Sequence, residues 1–229
     1  MTALSAASEA AVQLWGRELP TLFSSTDQEV VELRTLLHDV AEDVGKAHDW
    51  PVLMARHSIS GDGVDTSFPL PADYDRMPIK SNLYSTRSQL PLARVHDIDQ
   101  WLEFEITPVV GYPGYWILLG GEFQVKPALA TGENVRFYYI SNRVWTDGTP
   151  KERATQDGDR FRLPERLITL GLIWKWRQMK RLEYGEDLAS FSEAMAQEVS
   201  RAKGSRILKM GRPRISRGVA LAYPGEVIP

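Results

Sequence analysis

Residues 163–180, LPERLITLGLIWKWRQMK, decide the fold class of this chain. Pro164 suits a first helical position, so the stretch predicts a helix that begins near Glu165. Its apolar residues cover more than one helical face, and they are Leu167, Ile168, Leu170, Leu172, Ile173, Trp174, Trp176 and Met179. A helix of this kind must be buried on two sides. The chain therefore needs further helices, or further copies of itself, around this segment.

Helical periodicity continues on both sides of this stretch. Residues 186–202 carry a single apolar stripe at spacings of three and four, formed by Leu188, Phe191, Met195, Val199 and Ala202. Residues 27–46 carry a comparable stripe, formed by Val30, Leu33, Leu37, Val40 and Val44. Thr26 and Glu29 have the form of a capping box at the start of the latter helix. Residues 5–19 predict a shorter helix that stops near Pro20.

The middle of the chain, about residues 50–161, changes to short runs rich in β-branched and aromatic residues. Residues 115–119 and 122–126 predict a hairpin, because Gly120 and Gly121 permit the positive φ angles of a tight turn. Residues 134–140 predict a third strand, which would complete a small antiparallel meander. Residues 97–107 predict one short helix.

The predicted fold class is α+β. We expect a helical bundle of about four helices with an inserted small antiparallel β-rich region and an extended C-terminal arm. The corresponding segments are residues 1–50 and 163–203 for the helical core, 51–162 for the β-rich insertion and 204–229 for the arm.

Composition excludes several classes of protein. At 229 residues, 43% hydrophobic and 25% charged, the chain has globular usage. It has no cysteine, which excludes disulfide frameworks, thiolate zinc sites, iron–sulfur clusters and cysteine nucleophiles. The N-terminus lacks a basic region followed by an apolar run, and about 18 consecutive apolar residues occur nowhere, so neither secretion nor a membrane span is predicted.

Motifs for catalysis or cofactor binding are weak. The four histidines, His38, His48, His57 and His96, lack the spacing that places two ligands on one helix face. The acid pairs Asp73 and Asp75, Asp97 and Asp99, and Asp157 and Asp159 match the carboxylate pair of a glycoside hydrolase only in residue type. Asp-rich loops more often turn the chain. We therefore predict no catalytic residue, no cofactor and no metal, and we retain hydrolysis by a carboxylate pair as a remote alternative.

The C-terminal segment is unusual in its charge. Between Glu198 and Glu226 it has no acid and seven cations: Arg201, Lys203, Arg206, Lys209, Arg212, Arg214 and Arg217. Apolar residues, among them Ile207, Leu208 and Ile215, alternate with these cations. Such a segment can order on an acidic protein surface or contact nucleic-acid phosphate. A solvated, disordered tail is the alternative interpretation, since such tails are common, although it would gain nothing from the apolar residues.

Residues 163–180 and their continuation 182–187 resemble the signature helix of tailed-phage head-to-tail adaptor proteins, also called head completion or connector proteins. Shorter stretches resemble the same family: residues 48–51 (HDWP), 70–76, 120–127 and 137–140. The resemblance spans about residues 27–211. The Trp174-Lys175-Trp176 helix is its most specific part.

The resemblance implies a structural virion protein and no enzyme. Family members form rings, usually dodecameric, that dock beneath the portal, extend the DNA channel and provide the platform for tail attachment. The implied partners are the portal protein, tail tube or nozzle proteins, other copies of the chain, and packaged DNA bound without sequence specificity. The implied location is the head–tail interface of the virion, after synthesis in the host cytoplasm, with no membrane partner.

The resemblance also assigns roles to residues. The predicted portal contacts are Arg206, Lys209, Arg212, Arg214 and Arg217. The predicted subunit-packing residues are Leu167, Leu170, Trp174 and Trp176, since a ring supplies neighbours on two sides of their helix. The alternative from a different class is a nucleic-acid-binding module that uses the basic C-terminal arm.

Overall fold

The computed structural model describes residues 2–79, 81–107 and 113–203. In this part of the chain there are five α-helices, together with a 3₁₀ turn at Pro51–Leu53. The helices are α1 (Ala3–Trp15), α2 (Gln28–Ala47), α3 (Ile98–Ile106), α4 (Glu165–Met179) and α5 (Gly185–Lys203). Helix α1 begins with a capping box between Thr2 and Ser5, and it ends at Gly16, whose φ of 70° suits a glycine.

Eleven strands form three sheets within the described ranges. They are β1 (Met54–Ser60), β2 (Ser67–Pro69), β3 (Tyr74–Arg76), β4 (Tyr84–Ser85), β5 (Ala93–Arg94), β6 (Tyr115–Leu119), β7 (Glu122–Lys126), β8 (Asn134–Ser141), β9 (Trp145–Thr146), β10 (Pro150–Lys151) and β11 (Arg160–Phe161). The sheet orders are β1-β8-β3, with β4 also paired to β8, then β10-β9-β11, and β2-β7-β6-β5. Of the pairs with a defined register, β5 and β6 are parallel and the others are antiparallel.

The described residues fall into two compact units. The first comprises residues 2–57, 70–81 except Lys80, and 138–203, and it contains α1, α2, α4 and α5. The second comprises Ser58–Pro69 and residues 82–137 except 108–112, and it contains α3 and the β6–β7 hairpin. The division passes through β1 and β8, so each of these strands contributes residues to both units.

The core of the first unit is shared by helices and strands. Helices α1, α2 and α4 supply most of its buried side chains, and α1 approaches closely because it buries five alanines: Ala3, Ala6, Ala7, Ala10 and Ala11. The same cluster includes Ile140, Trp145 and Phe161 from β8, β9 and β11. Trp145 and Phe161 lie with ring centroids 5.0 Å apart. These strands are therefore part of the core that the helices bury.

The predicted fold class, a bundle of about four helices with a small β-rich insertion, is wrong. Five helices and three sheets are present in the described residues, and β9 and β11 contribute Trp145 and Phe161 to the helical core instead of forming an insertion. The meander is wrong as well, because β8 does not pair with the β6–β7 hairpin and belongs to another sheet. Most of the missed strands are two or three residues long, too short to show a period of two.

Several individual elements are confirmed. The hairpin has the predicted bounds, with φ of 63° at Gly120 and 82° at Gly121. Helices α2, α3, α4 and α5 begin and end within about two residues of the predicted positions. Helix α1 is shorter than predicted, because Gly16 ends it before Pro20. The capping box at Thr26 is wrong, since the N-cap residue is Asp27 and its side chain makes no cap hydrogen bond.

Candidate docking surfaces

Helix α4 is packed by three other helices of its own chain. It contacts α1, α2 and α5. The Trp15 and Trp176 rings meet edge to face at 5.7 Å, and Trp174 lies 6.0 Å from Phe191 of α5. A Cβ at Gly171 would lie 2.3 Å from Val40 Cγ1, so the glycine allows α2 and α4 to approach each other. The two apolar faces of α4 are thus largely covered within one chain.

The four predicted subunit-packing residues lie in two environments. Leu167 and Trp176 are buried in the core of the first unit. Leu170 and Trp174 are half-buried and pack against the edge of the same core. A role between subunits stays a prediction for all four residues. Leu170 and Trp174 are the two whose side chains remain partly exposed and could contact another subunit.

Further apolar surface lies where α4 passes into α5. Met179, Leu182 and Leu188 are exposed around this connection. A shallow groove beside α5 is lined mainly by Ala47, Phe191, Met195, Ala196 and Val199. Only Ala194 of α5 is buried among the residues whose side chains are described, so this helix covers α4 on one side and presents its other side outward.

The five predicted portal contacts, Arg206, Lys209, Arg212, Arg214 and Arg217, lie outside the described residues. The chain leaves the described part at the end of α5. Near that end, Arg201 is exposed and forms an ion pair with Glu198 at 2.6 Å.

The acid pairs that could have suggested catalysis are engaged in structural hydrogen bonds. The Asp73 carboxylate accepts from the hydroxyls of Tyr139 and Ser141, both at 2.8 Å. Burial opposes ionisation of Asp73, but these hydrogen bonds outweigh it and lower the pKa of its carboxyl. Burial, together with the bond to Asp73, raises the pKa of Tyr139 to about 12. Asp75 pairs with Arg76 at 2.5 Å.

Asp157 and Asp159 organise the loop that receives α1. Asp159 is fully buried, and its carboxylate accepts from the amides of Thr155 and Gln156 and from Lys151 Nζ at 3.1 Å. Its main-chain oxygen accepts from the Ala3 amide at 2.6 Å, which satisfies a donor in the first turn of α1. Burial opposes ionisation of Asp159, but its donors prevail and lower the pKa of the carboxyl. These acids hold a loop in place.

A cavity of about 140 Å³ lies in the first unit beside α2. Its charged lining residues include Glu42 and Lys46, which pair with each other, and Asp75, which pairs with Arg76. His38 also lines it, and burial lowers the pKa of this imidazole. Among the described residues no cluster of three or more potential metal ligands occurs. Glu42, Lys46 and Asp75 of the cavity wall are therefore already engaged in ion pairs.

Helix α3 presents a bare apolar stripe. Ile98, Leu102 and Ile106 follow one another at intervals of four residues and expose 61%, 52% and 75% of their surfaces. The opposite face is fixed: Trp101 is buried with Val95 and Ile117, and its Nε1 donates to Gln124 Oε1 at 3.0 Å. The stripe is thus displayed on a firmly packed helix.

Acids accompany the stripe of α3 on both sides. Asp97, Asp99, Glu103 and Glu105 lie within residues 97–107, which contain no lysine or arginine. Asp97 caps the helix by accepting from the Asp99 amide at 3.0 Å, and Glu105 pairs with Lys126 at 3.6 Å. The sequence predicted this helix but not its bare face, because apolar residues on several sides of a nine-residue helix do not say which side is covered.

None of the helices in the described ranges combines the length and apolar character needed to cross a membrane. A family model described as SU10 adaptor protein matches residues 1–220 of the chain. The search of curated proteins found no match to the chain.

Proposed function

The chain belongs to the SU10 adaptor protein family, a family of phage head-to-tail adaptors, so its resemblance to such adaptors is confirmed. On this premise we propose that copies of the chain form a ring that docks on the portal, extends the DNA channel and gives the tail its attachment platform. At the coarser level the chain is a structural component of the phage virion, and its family role lies between portal and tail components.

The observation that carries the proposal is the length of the family match. Residues 1–220 include both compact units and most of the basic C-terminal segment. The match therefore supports a function for which the helical core and the arm belong to one family unit. The structural uses of Asp73, Asp157 and Asp159 agree with an assembly role, since all three carboxylates accept hydrogen bonds from protein donors.

Ring formation is supported by the apolar surface that remains around α4 and α5. Met179, Leu182 and Leu188 are exposed at one end of this helix pair, and the groove lined by Phe191, Met195 and Val199 runs along α5. Leu170 and Trp174 add half-buried surface. In a ring each subunit presents two different surfaces to its neighbours, so a groove on one copy and exposed side chains on the next can meet in a closed set of identical contacts.

Portal docking is supported by the charge of the arm. Arg206, Lys209, Arg212, Arg214 and Arg217 alternate with apolar residues in a segment that contains no acid before Glu226. A segment of this composition can order on an acidic, partly apolar groove and gain both ion pairs and apolar contacts. We assign these five cations to the portal and the α4–α5 surface to neighbouring subunits.

The test combines purified portal rings with the full-length chain and measures the mass and image of the complex. Substitution of the five arm cations by glutamine is expected to abolish portal binding. The matched control replaces five exposed cations of the described residues by glutamine, namely Arg56, Arg87, Arg136, Arg160 and Arg166, and it should retain binding. Equal binding by both variants would remove the arm from the interface. A stable monomer that ignores portals would reject the proposal as a whole.

The nucleic-acid-binding alternative makes a different prediction from the same cations. A module that grips phosphate should lose orders of magnitude in DNA affinity over a few-fold rise in salt when it neutralises several phosphates. An adaptor whose cations engage the portal is expected to bind DNA weakly and without sequence preference. Tight, salt-sensitive DNA binding by the free chain, with no affinity for portals, would favour the alternative.

A further inference from the structure

We propose that the bare face of α3 is a docking surface for the basic C-terminal segment, residues 204–217, of the same polypeptide before assembly. The inference goes beyond the adaptor role, because it concerns the free chain and requires no portal. It joins an acidic, apolar face that the described residues leave uncovered, which the ring proposal does not use, with the basic, apolar segment that follows α5 and that the portal would take up only in assembly.

The face has the character of a binding surface. Three large aliphatic side chains form one line, Ile98, Leu102 and Ile106, and each exposes more than half of its surface. Single exposed apolar residues are ordinary on monomeric proteins, but a contiguous line of them marks an interaction site. The helix beneath is rigidly held through Trp101, which packs against Val95 and Ile117 and receives Lys126 Nζ 4.8 Å from its ring.

Charge identifies the occupant. On a helical projection Asp99 and Glu103 flank one side of the stripe and Glu105 flanks the other. Residues 97–107 thus present four carboxylates and no lysine or arginine. The segment 204–217 has the complementary pattern, with five cations, no acid and the aliphatic residues Ile207, Leu208 and Ile215. Apolar contact along the stripe and ion pairs along its margins can then form together.

Tethering favours the segment of the same molecule over that of another copy. Residues 204–217 follow α5 directly and can extend to at most about 50 Å. A tethered segment that can reach its site has an effective concentration on the order of millimolar, far above that of a dilute second copy. When the portal takes up the arm in assembly, the α3 face becomes free again.

The absence of cysteine permits a clean test on the full-length chain. The variant Leu102→Cys with Ile215→Cys is expected to form an intramolecular disulfide about tenfold faster than the control Val64→Cys with Ile215→Cys, because docking raises the local concentration of the two thiols. Val64 is 78% exposed and lies outside α3 in the same unit. The advantage should shrink as salt rises, since the flanking ion pairs are solvent-accessible.

Two results would overturn the proposal. One is an equal disulfide rate in the stripe and control variants. The other is a product that joins two chains and contains no cross-link within one chain, which would assign the face to a neighbouring copy. Both are measured without portals, so they leave the portal proposal untouched.

Hydrogen exchange provides a second measurement that uses no cysteine. In the full-length chain, Asp99→Asn with Glu103→Gln is expected to reduce amide protection across residues 204–217 by several fold, and α3 itself should stay protected because Trp101 is unchanged. The control Glu18→Gln with Glu152→Gln, at two exposed acids elsewhere, should leave both regions as they are. Unprotected amides across residues 204–217 in the unmodified chain would contradict docking directly.

Discussion

Helices α4 and α3 have the same kind of sequence and opposite surroundings. Each carries large apolar residues on more than one face. Helix α4 is covered by α1, α2 and α5, whereas the described residues cover α3 on the Trp101 side and leave Ile98, Leu102 and Ile106 exposed. A helix sequence with two apolar sides therefore indicates that two packing partners are needed. It does not indicate whether the second partner belongs to the same folded unit.

The largest effect is expected in the covered helix. Leu167→Ala should lower the free energy of unfolding by about 2–5 kcal/mol, because Leu167 is completely buried and its loss leaves a cavity among packed neighbours. Urea unfolding monitored by far-UV circular dichroism measures the change. A loss below about 1 kcal/mol would mean that α4 is packed far more loosely than its burial indicates.

A somewhat smaller effect is expected where α4 meets α2. Gly171→Ala should cost about 1–3 kcal/mol, since the new methyl group would lie 2.3 Å from Val40 Cγ1. The double variant with Val40→Ala should recover part of that loss, which a double-mutant cycle measures as a coupling energy. Fully additive losses would show that the two helices do not compete for this space.

The stability of the fold is expected to depend on pH through Asp159, which holds the loop against the start of α1. The pKa of Asp159 lies below its usual value of 3.8 in the folded protein, so ionised Asp159 stabilises the fold above that value, and this stability is lost as pH falls through the lowered pKa. Asp159→Asn should cost about 1–3 kcal/mol at neutral pH and flatten the pH dependence of unfolding below pH of about 4. Thermal unfolding followed from pH of about 7 to pH of about 2 distinguishes the variant from the unmodified protein. An unchanged pH profile would assign acid sensitivity to other groups, Asp73 first.

The smallest effect on stability is expected on the bare helix. Leu102→Ser should change the free energy of unfolding of the full-length chain by no more than about 0.5 kcal/mol, because the described residues leave this side chain half exposed and the proposed contact with residues 204–217 lies at the surface. Urea unfolding measures the change. A loss comparable to that of Leu167→Ala would show that Leu102 belongs to a packed core and would remove the contrast between the two helices.

The sequence predicted helices better than it predicted their arrangement. The stripe of α2 was predicted residue by residue, since Val30, Leu33, Leu37, Val40 and Val44 are all buried. The β6–β7 hairpin was predicted because two glycines mark its turn. These are local signals, which depend on residues only a few positions apart.

What the sequence did not predict depends on contacts between distant segments. Strands β9 and β11 are two residues long, and they belong to the helical core only through Trp145 and Phe161. The Asp159 loop likewise acquires its role from α1, more than 150 positions away. The predicted portal contacts stay predictions, since they lie outside the described residues. The packing of Leu170 and Trp174 between subunits also stays a prediction, because the structure contains one copy of the chain.

The contact between Trp15 and Trp176 provides a spectroscopic probe of the packing of α1 on α4. The two indoles face each other edge to face at 5.7 Å only when α1 lies on α4. Rings this close couple their electronic transitions, so we expect the circular dichroism of the chain to contain a contribution from this helix pair. Loss of this contribution would show that α1 has detached from α4, even while the sheets of the other unit remain folded. The order in which parts of the chain unfold could then be followed without an added label.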